Sequence, residues 1–329
     1  MLIPRLAALA STCGLLLMAG GAPAGASSTA PSGGLTTVEA TTEETVTAPV
    51  VVATYNIRHG LSHAVAVSDI ERLSVGVGVI GLQEMGSRDR RDAVREQLVD
   101  CGSCQFDAFM PNGAGPGAIP ILYKSSSFRL VSTGTRQVSD ATYVGPSGAG
   151  PSTIAPKFLS YVQLLHQATG QDMYVINSHA VASVQASDGG PNYEHPERLQ
   201  LYRQHMDGLK AMIAEFEATG AAVFTTGDFN VNYRRDSVLR DKLFPYDNMS
   251  QVDVFASYTF LGMPEYGTHL SESGTNDTRL IDYVSSLSHP AVVPKAQKIL
   301  MGYSSDHRPV RVRYAITGTT VTPSAAGDL

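Results

Sequence analysis

Along this chain an apolar run stops on a short polar cluster, and does so several times over. Ala221-Ala222-Val223-Phe224 runs straight into Thr225-Thr226-Gly227-Asp228-Phe229-Asn230. A short apolar run bounded in this way predicts a buried strand. Residues two apart on an extended backbone point to the same side. Asp228 and Asn230 are therefore expected to project together at the strand end. The carboxylate would serve as a base or metal ligand, and the carboxamide as its neutral hydrogen-bonding companion. Alone, Gly-Asp-x-Asn is equally good turn chemistry.

The same arrangement recurs elsewhere. Residues 50–55 end on Asn56, residues 77–82 on Gln83-Glu84, and residues 172–176 on Asn177-Ser178-His179. A glutamate directly after a buried strand is costly to bury unless it is paired or bound to a metal. Asp282 lies inside the apolar run 279–284 and needs a partner. Ser305-Asp306-His307 precedes the closing run 310–316. A histidine beside one Asp, with another available, suits an imidazole general base.

The intervening stretches predict the frame. Leu199, Tyr202, Met206, Leu209, Met212, Ile213 and Phe216 recur mostly at steps of three and four, which predicts an amphipathic helix over 195–216. It leads into the strand before Asp228, giving strand, helix, strand. Residues 158–166 and 172–176 are expected to pair as a hairpin around Thr169-Gly170. Residues 119–124 and 128–131 predict two more strands. Ser68 with Glu71 three later predicts a helix start. Residues 88–99 predict a helix of alternating charge, in which Arg88, Arg90 and Arg91 belong to a solvated face or reach a phosphate. Arg234 and Arg235 follow the Gly-Asp motif and either place two cations near it or are plain surface charge. The Gly-, Pro- and Ser-rich stretch 139–155 predicts a long loop.

The sequence has 329 residues, 43% of them hydrophobic, and a net charge of −6. That provides no global attraction for nucleic acid or an anionic membrane, so a polyanion would need a local patch or a metal. Residues 1–26 predict a secretory signal: one early cation, an apolar stretch, then small residues. A retained anchor is the alternative. Residues 27–47 predict a disordered linker, 48–316 one domain and 317–329 a flexible tail. In an exported chain, Cys101 and Cys104 are expected to form a disulfide, contributing roughly 2 kcal/mol. A redox pair would need a thioredoxin-like setting, and structural zinc a second cysteine pair.

Taken in order, Asn56, Gln83-Glu84, Asn177-Ser178-His179, Gly227-Asp228-Phe229-Asn230, Asp282 and Ser305-Asp306-His307 resemble the motifs of the endonuclease/exonuclease/phosphatase superfamily. The resemblance spans residues 50–316 and implies an α/β fold, a four-layered sandwich. Two mainly antiparallel sheets would pack face to face with helices outside. It also implies hydrolysis of a phosphate ester with Mg²⁺ or Mn²⁺. Glu84 would be the principal metal ligand, helped by Asn56, with Asp306 as a second metal-side acid. His307, oriented by Asp282, would be the general base. His179 would bind the phosphate or protonate the leaving oxygen, and Asp228 and Asn230 would hold the water and the developing charge. The expected chain is a secreted monomer acting on phosphodiesters, with nucleic acid first and a membrane phospholipid or small ester as alternatives. A binding module on an inactive scaffold is the non-enzymatic reading. Where deoxyribonucleases carry an arginine shortly after Gln-Glu, this chain has Gly86.

Overall fold

A computed structural model describes residues 41–145, 153–270 and 278–323. In chain order its strands are β1 (Thr41–Asn56), β2 (Val79–Gln83), β3 (Phe106–Phe109), β4 (Ile121–Lys124), β5 (Phe128–Ser139), β6 (Thr142–Tyr143) and β7 (Thr153–Ile154). They continue with β8 (Lys157–His166), β9 (Gln171–His179), β10 (Ala222–Asp228), β11 (Val254–Ala256), β12 (Asp282–Leu287), β13 (Val292–Ile299) and β14 (Val310–Pro323). The α-helices are α1 (His63–Ser74), α2 (Arg88–Leu98), α3 (Pro196–Glu217), α4 (Tyr233–Leu239), α5 (Pro245–Ser250) and α6 (Ser257–Leu261).

Two six-stranded sheets result, in the orders β13-β14-β1-β2-β4-β3 and β11-β12-β10-β9-β8-β5. Their pairings are antiparallel except β1 with β2 and β9 with β10. Strand alternation separates the layers. Val52, Val175, Phe224 and Val312 meet in the core between the sheets. Val223 and Ile176 face outward onto Tyr202, Met206 and Ile213 of α3. On the other outer face, Ile80 and Leu82 pack against Ile70 of α1 and Val94 of α2. This is the expected four-layered sandwich. The expected hairpin is β8 and β9, and α3 is the expected helix, joining parallel neighbours β9 and β10.

One buried polar cluster crosses the sheet interface. Asn177 on β9 donates to the carbonyls of Leu82 (2.7 Å) and Pro120 (3.0 Å). Its oxygen accepts from Gln83 of β2 (2.7 Å) and Thr226 of β10 (3.1 Å). A Cβ on Gly81 would stand 2.7 Å from that oxygen, so only glycine admits the approach. The cluster sets one sheet's register against the other, next to where the polar strand ends gather.

Several expected boundaries move. The first helix is capped by Ser62, whose hydroxyl accepts from the Val65 N–H, and Ser68 lies inside it. Asp282 is the first residue of β12 instead of an interior one, because Leu280 and Ile281 end a loop packed under Asn232 and Thr268. β5 runs on to Ser139, paired with β8 throughout. The linker expected over 27–47 gives up residues 41–47, and the tail expected over 317–329 gives up 317–323. These two β-branched stretches pair with each other, and the hydroxyls of Thr47 and Thr317 stand 2.9 Å apart. β-branched residues favour the pleat once a partner strand is at hand. The expected signal over 1–26 lies outside the described residues. No described helix is long and apolar enough to cross a membrane. Cys101 and Cys104 are bonded, closing the turn between α2 and β3.

Candidate active site

Parallel strands end level with one another, and that brings the polar ends together. Asn56 pairs with Gln83 where β1 and β2 stop. Asp228 pairs with His179 on one side and with Asp282 on the other. Facing sheets then join the two groups. The Asn56 amide donates to Glu84 (3.1 Å) from the first sheet and to Asp228 (3.1 Å) on the second.

Asp228 is the hub. One of its oxygens accepts the Asn230 N–H at 2.9 Å. The other lies 3.5 Å from His179 Nε2 and 3.8 Å from His307 Nε2. The opposite edge of the His307 ring is held by Asp282, with Nδ1 2.9 Å from Oδ2. Asp282 itself is fully buried and its backbone N–H donates to Thr268. His307 is positioned by its own N–H on Ser305 Oγ (3.1 Å), while Ser305 donates to the Asn56 carbonyl (2.8 Å). Asn230 turns its amide back onto the Ala180 carbonyl at 3.1 Å.

Glu84 and Asn230 both have positive φ, 61° and 55°. For residues other than glycine this costs on the order of 1 kcal/mol or more each and is held by the surroundings. Gly227 owes its place to room, not to its dihedrals: a Cβ there would stand 2.7 Å from Ser178 Oγ. Arg90 supplies much of the hold on Glu84. It is buried, and its guanidinium donates to the carbonyls of Glu84 (3.3 Å), Arg58 (3.3 Å), His59 (2.8 Å) and Leu61 (2.5 Å). Arg91 likewise holds the Met85 and Gly86 carbonyls, and Arg88 pairs with Asp92 on the surface. None of the three reaches out for a phosphate, because backbone carbonyls take the donors of the first two. Arg234 is also spent on carbonyls, those of Thr278, Pro264 and Glu265. Only Arg235 of that pair lines open space.

Protonation follows from burial and neighbours. Burial pushes the Asp228 carboxyl up, Asp282 adds to this, and His307 pulls against it. For His307, burial disfavours the imidazolium. The carboxylates of Asp282 and Asp228 outweigh burial and raise the ring well above its ordinary range. His307 is thus held charged in the protein alone, whereas the general base expected there must be free to accept a proton. His179 moves the other way: burial and the Lys157 ammonium lower it, so it is uncharged at neutral pH. Burial would raise Glu84, but bonds from the His59 backbone N–H (2.7 Å) and the Asn56 amide help hold it below the ordinary carboxylate range.

Two places offer metal ligands. Glu84 is an ionised, partly exposed carboxylate, and a hard oxygen donor of this kind suits a small divalent cation. The expected helper Asn56 turns its NH2 group to Glu84, while its oxygen accepts the Arg58 N–H at 3.0 Å, so it orients the carboxylate instead of presenting a ligand atom. Asp306 lies close by in the fold but its carboxylate faces Arg58 Nε at 3.5 Å. The second place is the buried group Asp228, Asp282 and His307, whose ligand atoms lie within 4.8 Å of one another and can hold a metal.

Three contributors escape a reading of the sequence. Lys157, at the start of β8, is near enough to Asp228 and Glu84 for its charge to bear on both. His269 stacks edge-on to His307 with ring centres 4.9 Å apart. Ser305 was legible only as part of a motif, not as the hinge that aims His307. No local pattern marks the first two, since each arrives from a distant loop or strand.

No protein-family model matches the sequence, and neither does any curated protein. Solved structures do. An endonuclease/exonuclease/phosphatase family protein from Bacteroides thetaiotaomicron matches with TM-score 0.61 and 17% identity, over 83% of this chain and 97% of that one. A mannosyl-6-phosphatase of the same organism matches with TM-score 0.56 and 18% identity, over 80% of this chain and 99% of that one. TDP2 of D. rerio, complexed with a single-strand DNA product, matches with TM-score 0.56 and 14% identity, over 81% of this chain and 98% of that one.

Proposed function

On the premise that this chain has the fold of the endonuclease/exonuclease/phosphatase proteins, we propose that it is a secreted, divalent-metal-dependent phosphoesterase. The observation that carries the reading is the convergence of Asn56, His179, Asp228 and Asp282 from four strand ends, and of Glu84, Asn230 and His307 from the adjoining loops, onto one spot. Phosphodiesters are the proposed substrates, with nucleic acid as the first candidate; the small-ester alternative is supported by the likeness to a sugar phosphatase.

Glu84 would hold the cation, Mg²⁺ or Mn²⁺, with its carboxylate oriented by the Asn56 amide N–H and with Asp306 as the outer acid once Arg58 turns aside. When bound, it supplies positive charge that offsets the phosphate and lowers the proton affinity of Asp228 and His307. His307 Nδ1 keeps its proton on Asp282, which fixes the tautomer and leaves Nε2 facing the Asp228 side. Nε2 is then the atom that takes a proton from attacking water. Asp228 and the Asn230 amide hold that water in line. His179, uncharged and largely buried beside Asp228, would donate a hydrogen bond to a phosphoryl oxygen, with the charge of Lys157 nearby.

Purified protein assayed on plasmid DNA, RNA, sphingomyelin and a chromogenic phosphodiester tests this. Activity should appear with Mg²⁺ or Mn²⁺, vanish in EDTA, and fall by at least about 10²-fold in Glu84→Gln. Full turnover in EDTA would remove the metal from the account.

A further inference from the structure

Beside the catalytic cluster, and sharing Asn230 with it, lies a cleft of about 650 Å³. The 182–195 loop forms one wall, with Asn232, Arg235, Arg279 and Ile281 opposite. Asn230 is in both places: its N–H reaches Asp228, its side-chain amide donates to the Ala180 carbonyl, and the residue lines the cleft. A ligand in the cleft is therefore continuous with a phosphate at the cluster.

The polarity of the walls is one-sided. Their ionisable side chains, among the described residues, are Arg235, Arg279 and His195, with no carboxylate. Asp188 and Glu194 belong to the same loop but do not line it. Arg235 makes one long contact, 3.5 Å to the Asp188 carbonyl, and is otherwise exposed. Arg279 already bonds His269 at 2.7 Å. In a chain of net charge −6 this is a local cationic surface.

Asn232 adds the decisive detail. It is 8% exposed, and its Oδ1 accepts from the backbone N–H groups of Leu280 (3.1 Å) and Arg234 (3.3 Å). Two donors on the oxygen settle which end of the amide is which. Among the described residues the Nδ2 group has no hydrogen-bond partner, and it belongs to a cleft-lining residue. The residue is held in place while this donor stays open to the cleft, where a ligand acceptor can replace water.

We propose that the cleft binds a second phosphate of the substrate, so that the chain prefers esters bearing two phosphate groups over those bearing one. This rests on the phosphoesterase reading above. Asn232 Nδ2 and Arg235 would supply the hydrogen bonds and charge, and charge-assisted bonds to an oxyanion are the strong ones. The second phosphate has two sources of one chemistry: the adjacent phosphate of a nucleic-acid strand or that of a small bisphosphorylated alcohol.

The test is a matched pair, thymidine 5′-(p-nitrophenyl phosphate) with and without a 3′-phosphate. Wild type should favour the 3′-phosphorylated compound by at least about tenfold in kcat/KM, expressed in KM. Asn232→Asp keeps the two accepted bonds and replaces the open donor by a repelling oxygen. Arg235→Gln removes exposed charge. Each should bring the preference close to one while leaving hydrolysis of the singly phosphorylated compound unchanged. Equal rates in wild type, or a preference that survives both substitutions, overturns the proposal while leaving the phosphoesterase reading standing. If neither compound is cleaved, that reading fails, and calorimetric titration with thymidine 3′,5′-bisphosphate against thymidine 5′-monophosphate decides on the cleft alone. Tighter binding of the bisphosphate, lost in Asn232→Asp, supports it; equal binding overturns it. Oligothymidylate and fructose 1,6-bisphosphate as competitors separate the two sources: whichever inhibits wild type but not Asn232→Asp names the origin.

Discussion

At the scale of single residues the proposed chemistry rests on the His307 and Asp282 pair. Its ring is gripped at Nδ1 by a fully buried carboxylate and at its backbone by Ser305. The two act as one unit, so their losses should not multiply. His307→Ala is expected to lower the single-turnover rate by about 10³-fold, and Asp282→Asn by less. The double variant should be scarcely slower than His307→Ala. Rapid-quench rates at saturating metal, with folding checked by circular dichroism, decide the matter. Multiplying losses would break up the pair, and a normal rate in His307→Ala with none in His179→Ala would move the base to the other ring.

The element that carries an unexplained tension is α3. Its apolar stripe covers the second sheet, yet His205 in that stripe is fully buried with neither ring nitrogen bonded. Burial, helped by Lys157, lowers this ring to about 3. An imidazole depressed in the folded state is protonated first in the unfolded chain. Its contribution to stability is therefore whole above the unfolded value near 6.5 and is lost as pH falls toward 3. His205→Leu removes that loss and a polar ring without partners. Relative to wild type, the variant should gain about 2 kcal/mol at pH 5 beyond any gain at pH 8. Urea unfolding at the two pH values measures it, and a gain independent of pH would mean that the ring does not titrate as described.

Across the whole molecule, two sheets with separate outer cores are held in one relative register by Asn177. Its amide satisfies two carbonyls and two side chains at once, all buried. Asn177→Ala strands several of these groups, at about 1–3 kcal/mol for each one left without a partner. Unfolding in urea should show a midpoint lowered by the equivalent of roughly 3 kcal/mol or more. Activity should fall as well, since Asn56 with Glu84 stands on one sheet and Asp228 on the other. An unchanged midpoint would mean that the apolar core sets the register unaided.

The sequence by itself determined most strand runs, the α3 stripe and the polar ends that follow the runs, while the layers were what the resemblance implied. Strand runs and the α3 stripe have strong periods, and periodicity is local. The polar ends were legible for the same reason: each directly follows its apolar run. Only the tertiary structure decided what those ends do to one another. That His307 is held charged depends on two carboxylates arriving from other strands, at 2.9 and 3.8 Å. That Arg90 and Arg234 are spent on several carbonyls, while Arg235 makes one long contact to the Asp188 carbonyl and lines the cleft, depends on which loops lie beneath them. Lys157 and the open donor of Asn232 are likewise products of packing. Charge acts through space and hydrogen bonds need contact, so neither is written in the spacing of residues along a chain.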